Sequence, residues 1–333
     1  MHRHTFTAAA AAAAVVSALA LALAGAGLPA VAQAQDYPNK PIKLIVPWSP
    51  GGGTDVLGRL IAAKLSESLK QQVVVENKAG AASLIGMTAV ATAAPDGYTL
   101  GLATSNLASN PYLYTQQPYD VQRDLAPVVL VSKGVYAVAV HPALQARTLA
   151  DLVALAKAEP GKLNAAMIGA GAPPHLALAQ FTAMTGTQIV GINYKGAGPA
   201  MAATVAGETH VLFSSYATMA PMVEAGRLRI LAVTSAQRSA AAPQVPTAAE
   251  SGLPGFVFDE WYAVFAPAKT PRPVIERINQ EVRKVLALPE VRERMRSLAS
   301  EPSAGTPEAL GDFVRAEMAR FQKLIADNQI KAE

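Results

Sequence analysis

The chain contains no cysteine. Disulfides, thiolate metal sites and a lipid anchor on an N-terminal cysteine are all excluded. Histidine is scarce, with five in 333 residues. His2 and His4 sit at the very start. His141, His175 and His210 are far apart and form no H-x-x-x-H pair, so the usual metal-hydrolase pattern is missing. No G-x-S-x-G elbow occurs. Charge is thin, at 16% of residues and a net +4. From Arg272 to Arg296 the basic residues alternate with Glu276, Glu281, Glu290 and Glu293. That pattern describes solvated helix faces and not a nucleic-acid stripe. After the first thirty residues no apolar run is long enough to span a bilayer; Val128 to Val140 comes closest, and Lys133 interrupts it.

The beginning reads as a secretory signal peptide. A short basic start is followed by an alanine-rich apolar run from Ala8 to about Leu28, then Pro29 and the small residues Ala32-Gln33-Ala34. Cleavage is expected after Ala34. A secreted chain without disulfides fits a bacterial periplasm and a core large enough to need no staples.

What remains alternates strands and helices. Ile42 to Val46 reads as a buried strand. Val56, Leu57, Leu60, Ile61, Leu65 and Leu69 fall on one helical face. Val73 to Glu76 is a second strand, Ser83 to Ala94 a helix, and Tyr98 to Ala103 a third strand. This rhythm predicts a parallel α/β sheet covered on both faces. A polar loop, Thr104 to Pro111, is expected at the carboxyl edge, where ligands of such sheets sit. Leu125 to Val140 reads as one long extended segment. Thr148 and Asp151 form a capping box for a helix ending at Pro160-Gly161. A second α/β block follows, with strands near 164–169, 189–193, 210–213 and 228–233. Phe256 to Phe265, across Asp259, reads as a return crossing. The tail from Pro273 to Gln329 is helical, broken at Pro289 and between Pro302 and Pro307.

The stretch Trp48-Ser49-Pro50-Gly51-Gly52-Gly53-Thr54-Asp55 joins the first strand to the first helix. It fails as a dinucleotide fingerprint, because Val56 stands where the third glycine belongs. It fails as a P-loop, because Arg59 and Leu60 replace the lysine and hydroxyl residue. What survives is a nest of backbone N–H groups facing a small anion. Asp55 is either a helix-start acid favoured by the dipole or a ligand-facing group. Gly169-Ala170-Gly171-Ala172-Pro173-Pro174, before His175, repeats the strand, glycine turn and helix start. Lys195, after Tyr194, reads as either a pocket cation or a solvated loop lysine.

The residues also carry a resemblance. Tyr37-Pro38-x-Lys40-Pro41-Ile42, Val46-Pro47-x-x-Pro50-Gly51-Gly52-Gly53-Thr54-Asp55, Val75-Glu76-Asn77-Lys78-x-Gly80 and Ala94-Pro95-Asp96-Gly97-Tyr98-Thr99-Leu100 resemble the Bug family. So do Asn110-Pro111, Pro118-Tyr119-Asp120, Tyr194-Lys195-Gly196, Val245-Pro246-Thr247, Gly252-x-Pro254-Gly255-Phe256 and Trp261. These are the TctC-like solute-binding proteins of tripartite tricarboxylate transporters. The resemblance implies a type II periplasmic-binding-protein architecture, with two α/β lobes joined by crossing extended segments. Lobe 1 is expected over 35–136 and 260–333, and lobe 2 over 137–259. No catalysis, cofactor or metal is implied. A small organic carboxylate is the expected ligand and membrane permease subunits are the expected partners, with the chain itself a monomer. A sensor role with a membrane histidine kinase and a secreted hydrolase are the alternatives.

The ligand contacts expected are Trp48, Ser49, Gly51, Gly52, Gly53, Thr54 and Asp55; Thr104, Ser105, Asn106 and Asn110; Gly169, Ala170, Gly171 and His175; and Tyr194, Lys195, Ser214 and Asp259. The second-lobe loop departs from the family pattern. It carries no hydroxyl between Met167 and His175, Gly191-Ile192-Asn193 replaces a His-Val-Pro, and Ser214 stands where an acid is common. A ligand whose far end is less polar, or less amine-like, than an amino dicarboxylate is therefore expected.

Overall fold

A computed structural model describes residues 37–169 and 171–330. The signal peptide read over residues 1–34, and Ala170, lie outside the described residues. The chain divides into Met1–Asn39 and Lys40–Glu333. Of the first unit only 37–39 are described, without regular secondary structure.

Three parallel strands begin it: β1 (Ile42–Val46), β2 (Val73–Asn77) and β3 (Thr99–Thr104). β1 lies between the other two, with Ile42 opposite Val73 and Lys43 opposite Thr99. Helix α1 (Gly53–Leu69) covers β1 and buries Leu57, Ile61 and Leu65. Each such aliphatic side chain contributes roughly 1.5–3 kcal/mol on leaving water. Helix α2 is Leu84–Ala91.

The segment read as a polar loop after β3 is instead α3 (Asn106–Leu113), with Pro111 inside it. Asn and Ser are poor helix formers on their own. Here every residue from Gly101 to Asn110 is buried, so packing overrides local preference. A short α4 (Val121–Asp124) then leads into β4 (Leu125–Val140).

β4 is the strand the two halves share. Leu125 to Val135 pairs antiparallel with β9 (Asp259–Pro267), which in turn pairs with β3. Tyr136 to Val140 pairs antiparallel with β7 (Val211–Ser215), and Ala137 to Val140 also pairs with β8 (Arg229–Val233). β7 continues parallel to β5 (Asn164–Met167), and β5 to β6 (Val190–Asn193). The path is β2-β1-β3-β9-β4-β7-β5-β6. Each half is thus α/β, with parallel strands outermost and antiparallel crossing strands between.

The second half carries α5 (Leu149–Ala158), α6 (Pro173–Thr185), α7 (Ala197–Ala206) and α8 (Tyr216–Glu224). Thr148 and Asp151 close the predicted capping box at the start of α5. The tail gives α9 (Arg272–Ala287), α10 (Pro289–Ser297) and α11 (Pro307–Asp327). Besides α3, three elements escaped the sequence: α4, α8, and β10 (Ser300–Pro302), which adds to β4. Among the described residues no helix is long and apolar enough to cross a membrane.

One tie holds the crossing together. The Thr234 hydroxyl lies 2.6 Å from Phe258 O and 3.1 Å from Tyr136 O, as a shared donor. Thr234 N–H donates to Tyr136 O, and Phe258 N–H donates to Thr234 O. All three residues are buried.

Candidate functional site

The turns of interest gather at the carboxyl ends of strands. β1 and β3 end at Val46 and Thr104 in the first half, and β5 and β7 end at Met167 and Ser215 in the second. Tyr262, early in β9, lies opposite Thr104, and Tyr136 of β4 lies opposite Ser215. Both sets of turns therefore converge on the crossing.

The glycine loop is held from beneath. Gly51 takes φ +83°, a left-handed conformation open to glycine. Its N–H donates to Asp55 Oδ2 at 3.0 Å. Arg59 also donates to that carboxylate, and Asn77 Nδ2 donates both to Asp55 Oδ1 and to Trp48 O. Burial pushes the Asp55 carboxyl up, but the hydrogen bonds from Arg59, Gly51 and Asn77 outweigh it and hold it below the ordinary value. The two readings of Asp55 are thereby separated: its carboxylate is directed into the loop and shapes it.

The helix begins three residues earlier than its apolar face. Gly52 is the N-cap and provides no side-chain cap. The N–H groups of Gly53, Thr54 and Asp55 have no acceptor within the helix. They carry the positive end of a long dipole. Trp48, half-buried, donates from Nε1 to Thr104 Oγ1 at 3.2 Å. Ser49 is exposed.

Next in the chain to Thr104, α3 and its N-cap Ser105 carry buried polar atoms. Ser105 Oγ, Asn106 Oδ1 and Asn110 Oδ1 are buried and have no hydrogen-bond partner among the described residues. Buried polar atoms of this kind ordinarily have one. Asn110 Nδ2 donates to Ala82 O. Asn106 Nδ2 donates to Gly171 O at 3.1 Å, which links α3 to the second-half loop. Gly171 has φ +74°, and a methyl group added there would sit 2.9 Å from Leu113 Cδ1.

His175 steadies that loop. Its Nδ1 accepts from Gly171 N–H at 2.9 Å, so the other ring nitrogen carries the hydrogen in the neutral form. Burial holds this imidazole below the ordinary value. Gly169 has φ +89° and is half-buried. Tyr194 packs on the second-half apolar cluster, and its N–H donates to Met167 O. Lys195 is exposed, and Ser214 is half-buried within β7, opposite Ala137.

Asp259 does not join these groups. With Trp261 it faces α11, where Lys133, Arg320 and Glu317 act on it, and burial pushes its carboxyl up to about 6. Trp261 is 1% exposed, packs edge-on against Phe313 and donates to Glu317. The alternate face of β9 carries Glu260 and Tyr262 instead. The Tyr262 hydroxyl donates to Glu260 Oε2 at 2.6 Å, and a methyl group at Gly53 would lie 3.3 Å from that hydroxyl. The sequence reading missed these two residues. The two-residue period of a strand, with Trp261 taken as core, would have found them.

An open hollow of about 400 Å³ lies elsewhere, lined by Ser239, Arg292, Arg296 and Ser300 among others. It contains none of the turns that converge on the crossing. Among the described residues no group of three or more His, Asp or Glu could hold a metal.

Comparison with known proteins gives this arrangement a context. Residues 57–330 match the model of the tripartite tricarboxylate transporter family receptor. The protein BugT of Bordetella pertussis is 37% identical over 304 residues, covering 91% of this chain and 93% of BugT. A structure from R. palustris with adipate superimposes with a TM-score of 0.85 at 33% identity, over 89% of this chain and 99% of that one. MatC of Rhodopseudomonas palustris with bound malate gives 0.81 at 28% identity, over 87% and 100%. With a family match across most of its length and this two-lobed frame, the chain belongs to the tripartite tricarboxylate transporter receptors of Bug type, periplasmic solute-binding proteins and not enzymes.

Proposed function

We propose that the chain is a periplasmic receptor that closes its two lobes on a small organic carboxylate and delivers it to the permease of a tripartite tricarboxylate transporter. The observation that carries this reading is the anion nest of the first lobe. The N–H groups at the uncapped helix start at Gly52 are free to donate, and the buried Ser105 hydroxyl, next in the chain to the Thr104 that Trp48 reaches, has no partner among the described residues. The helix-start N–H groups and the Ser105 hydroxyl can donate to a carboxylate, while the buried amide oxygens of Asn106 and Asn110 are acceptors that suit a ligand hydroxyl or a bridging water. The adipate and malate seen in related receptors are both dicarboxylates without an amine.

The ligand's common end would be held by the N–H groups of Gly53 and Thr54 and by Ser105. The opposing loop, Gly169 to His175, with Tyr194 and Ser214, would read its identity. That loop presents no hydroxyl, which supports a far end less polar than an amino dicarboxylate. The lobes would meet near Tyr136 and Asp259, where the Thr234 tie allows hinge closure of the kind binding proteins use. Export would remove residues 1–34 and leave a monomer.

A thermal-shift screen of mono- and dicarboxylates, their amides and amino dicarboxylates tests the reading. A dicarboxylate without an amine should raise the melting temperature most. Clear selectivity for aspartate or glutamate would overturn the ligand assignment.

A further inference from the structure

The face of β9 that the sequence reading passed over carries a buried carboxyl with no cation paired to it among the described residues. Glu260 is 9% exposed and lies opposite Gly134 of β4. Its hydrogen bond comes from the Tyr262 hydroxyl, which stands against the first turn of α1 at Gly53. Tyr136, the next titratable group, reaches the pair from β4. The charged groups around the crossing are otherwise engaged. Lys133 of β4 lies over the Phe313 ring and, like Arg320 of α11 and Glu301 of β10, acts on Asp259. Asp55 of α1 is held by Gly51, Arg59 and Asn77. Burial pushes the Glu260 carboxyl up to about 7, against the opposite pull of the Tyr262 hydrogen bond.

We propose that Glu260 and Tyr262 form the proton-coupled floor of the anion site, so that a ligand carboxylate is taken up together with one proton. The inference rests on the carboxylate reading above. A second negative charge at the start of α1 disfavours an ionised Glu260 across a short, water-poor distance. Once protonated, Glu260 donates its O–H to the Tyr262 oxygen. The phenolic hydrogen is then released from Glu260 and turns toward the space beside Gly53, where it donates to the ligand. The proton comes from solvent, the ligand keeps its charge, and no covalent bond within the protein or the ligand is made or broken. Tyr262 thus becomes a donor for anions only when Glu260 is neutral.

Isothermal titration of the full mature chain with malate and with adipate, in phosphate and in Tris, tests this. Both acids are fully ionised between about pH 7 and pH 8.5. At the upper end the buffer dependence of the enthalpy should give close to one proton taken up per ligand. Affinity should fall about tenfold for each pH unit above 7. Glu260→Gln should remove both dependences, and Tyr262→Phe should weaken binding at every pH. Binding without proton uptake, or uptake that survives Glu260→Gln, overturns the proposal. If the Gln variant does not fold, the comparison of buffers on the natural chain decides alone. A chain that binds neither acid contradicts the carboxylate reading, and the coupling with it.

Discussion

Asp55 and Gly52, three residues apart, divide the work of one loop. Asp55 spends its carboxylate on Gly51, Arg59 and Asn77, and Gly52 leaves the helix start open. Gly52 has φ −78° and ψ 167°, an ordinary extended conformation, and a Cβ there would meet only Ser49 O at 3.8 Å. Gly52→Val should therefore fold with a stability within about 0.5 kcal/mol of the natural chain. It should bind its carboxylate at least tenfold more weakly, because the branched side chain crowds the nest. Calorimetry beside urea unfolding separates the two effects, and unchanged affinity counts against the loop's role.

Glu260 gives a second prediction at this scale, independent of ligand. Its carboxyl sits near 7 in the folded chain against an ordinary 4.5, so the folded state binds the proton more tightly. The stability this contributes is complete below about pH 4.5 and is lost as pH rises through about 7. Glu260→Gln, which mimics the protonated form, should match the natural chain at pH 4 and exceed it by ~3 kcal/mol at pH 8. Urea unfolding at the two pH values reads the gap, and a gap that does not grow with pH refutes it. Asp259 and Glu260 are adjacent acids of the return crossing, and nothing in their immediate sequence marks which of them faces the site. Which face each acid takes depends on register, and that became visible only once Trp261 was placed in the core.

Among the elements, the strands were the most legible. β4 is legible over its full span, Leu125 to Val140, because its β-branched and apolar residues outweigh the interruptions at Pro127 and Ser132-Lys133-Gly134. α3 was not legible. Its Asn, Ser and Pro residues signal a loop, and only burial from Gly101 to Asn110 makes a helix of them. α8 and β10 are short and carry no periodic signal of their own. α3 matters because it meets the opposing loop through Asn106 and Gly171. Gly171→Ala should strain a φ of +74° and press on Leu113, costing about 1–3 kcal/mol. It should also loosen the contact between lobes. Small-angle scattering with ligand present should show a larger radius of gyration than the natural chain, and equal radii would rule out a role for the Asn106–Gly171 contact in holding the lobes together. Acid should act in the same direction. His175 is held below its ordinary value, so the support it gives through Nδ1 is present at neutral pH and is lost as pH falls and the ring protonates.

Across the whole molecule, the two lobes share more than a hinge. β4 pairs in both, and one apolar core runs from Ile45 and Leu107 through Tyr136 to Phe181 and Phe213. The lobes should therefore unfold together. Both tryptophans, Trp48 and Trp261, report on the first lobe and the crossing, while far-UV dichroism reports on every helix. Their urea transitions should coincide, and a separate dichroism step would show the second lobe melting alone. The family was legible across nearly the full chain because its motifs sit at turns, where glycine and proline leave fixed marks. Ligand identity was not, because it depends on the polar atoms that two distant loops bring together.

The receptor reading meets its most direct test in calorimetric titration of a dicarboxylate that shifts the melting temperature, set beside the matching diamide. One ligand per chain should bind as the diacid, with no measurable heat from the diamide, since backbone N–H groups at a helix start need an anion. Equal binding of diacid and diamide would contradict it.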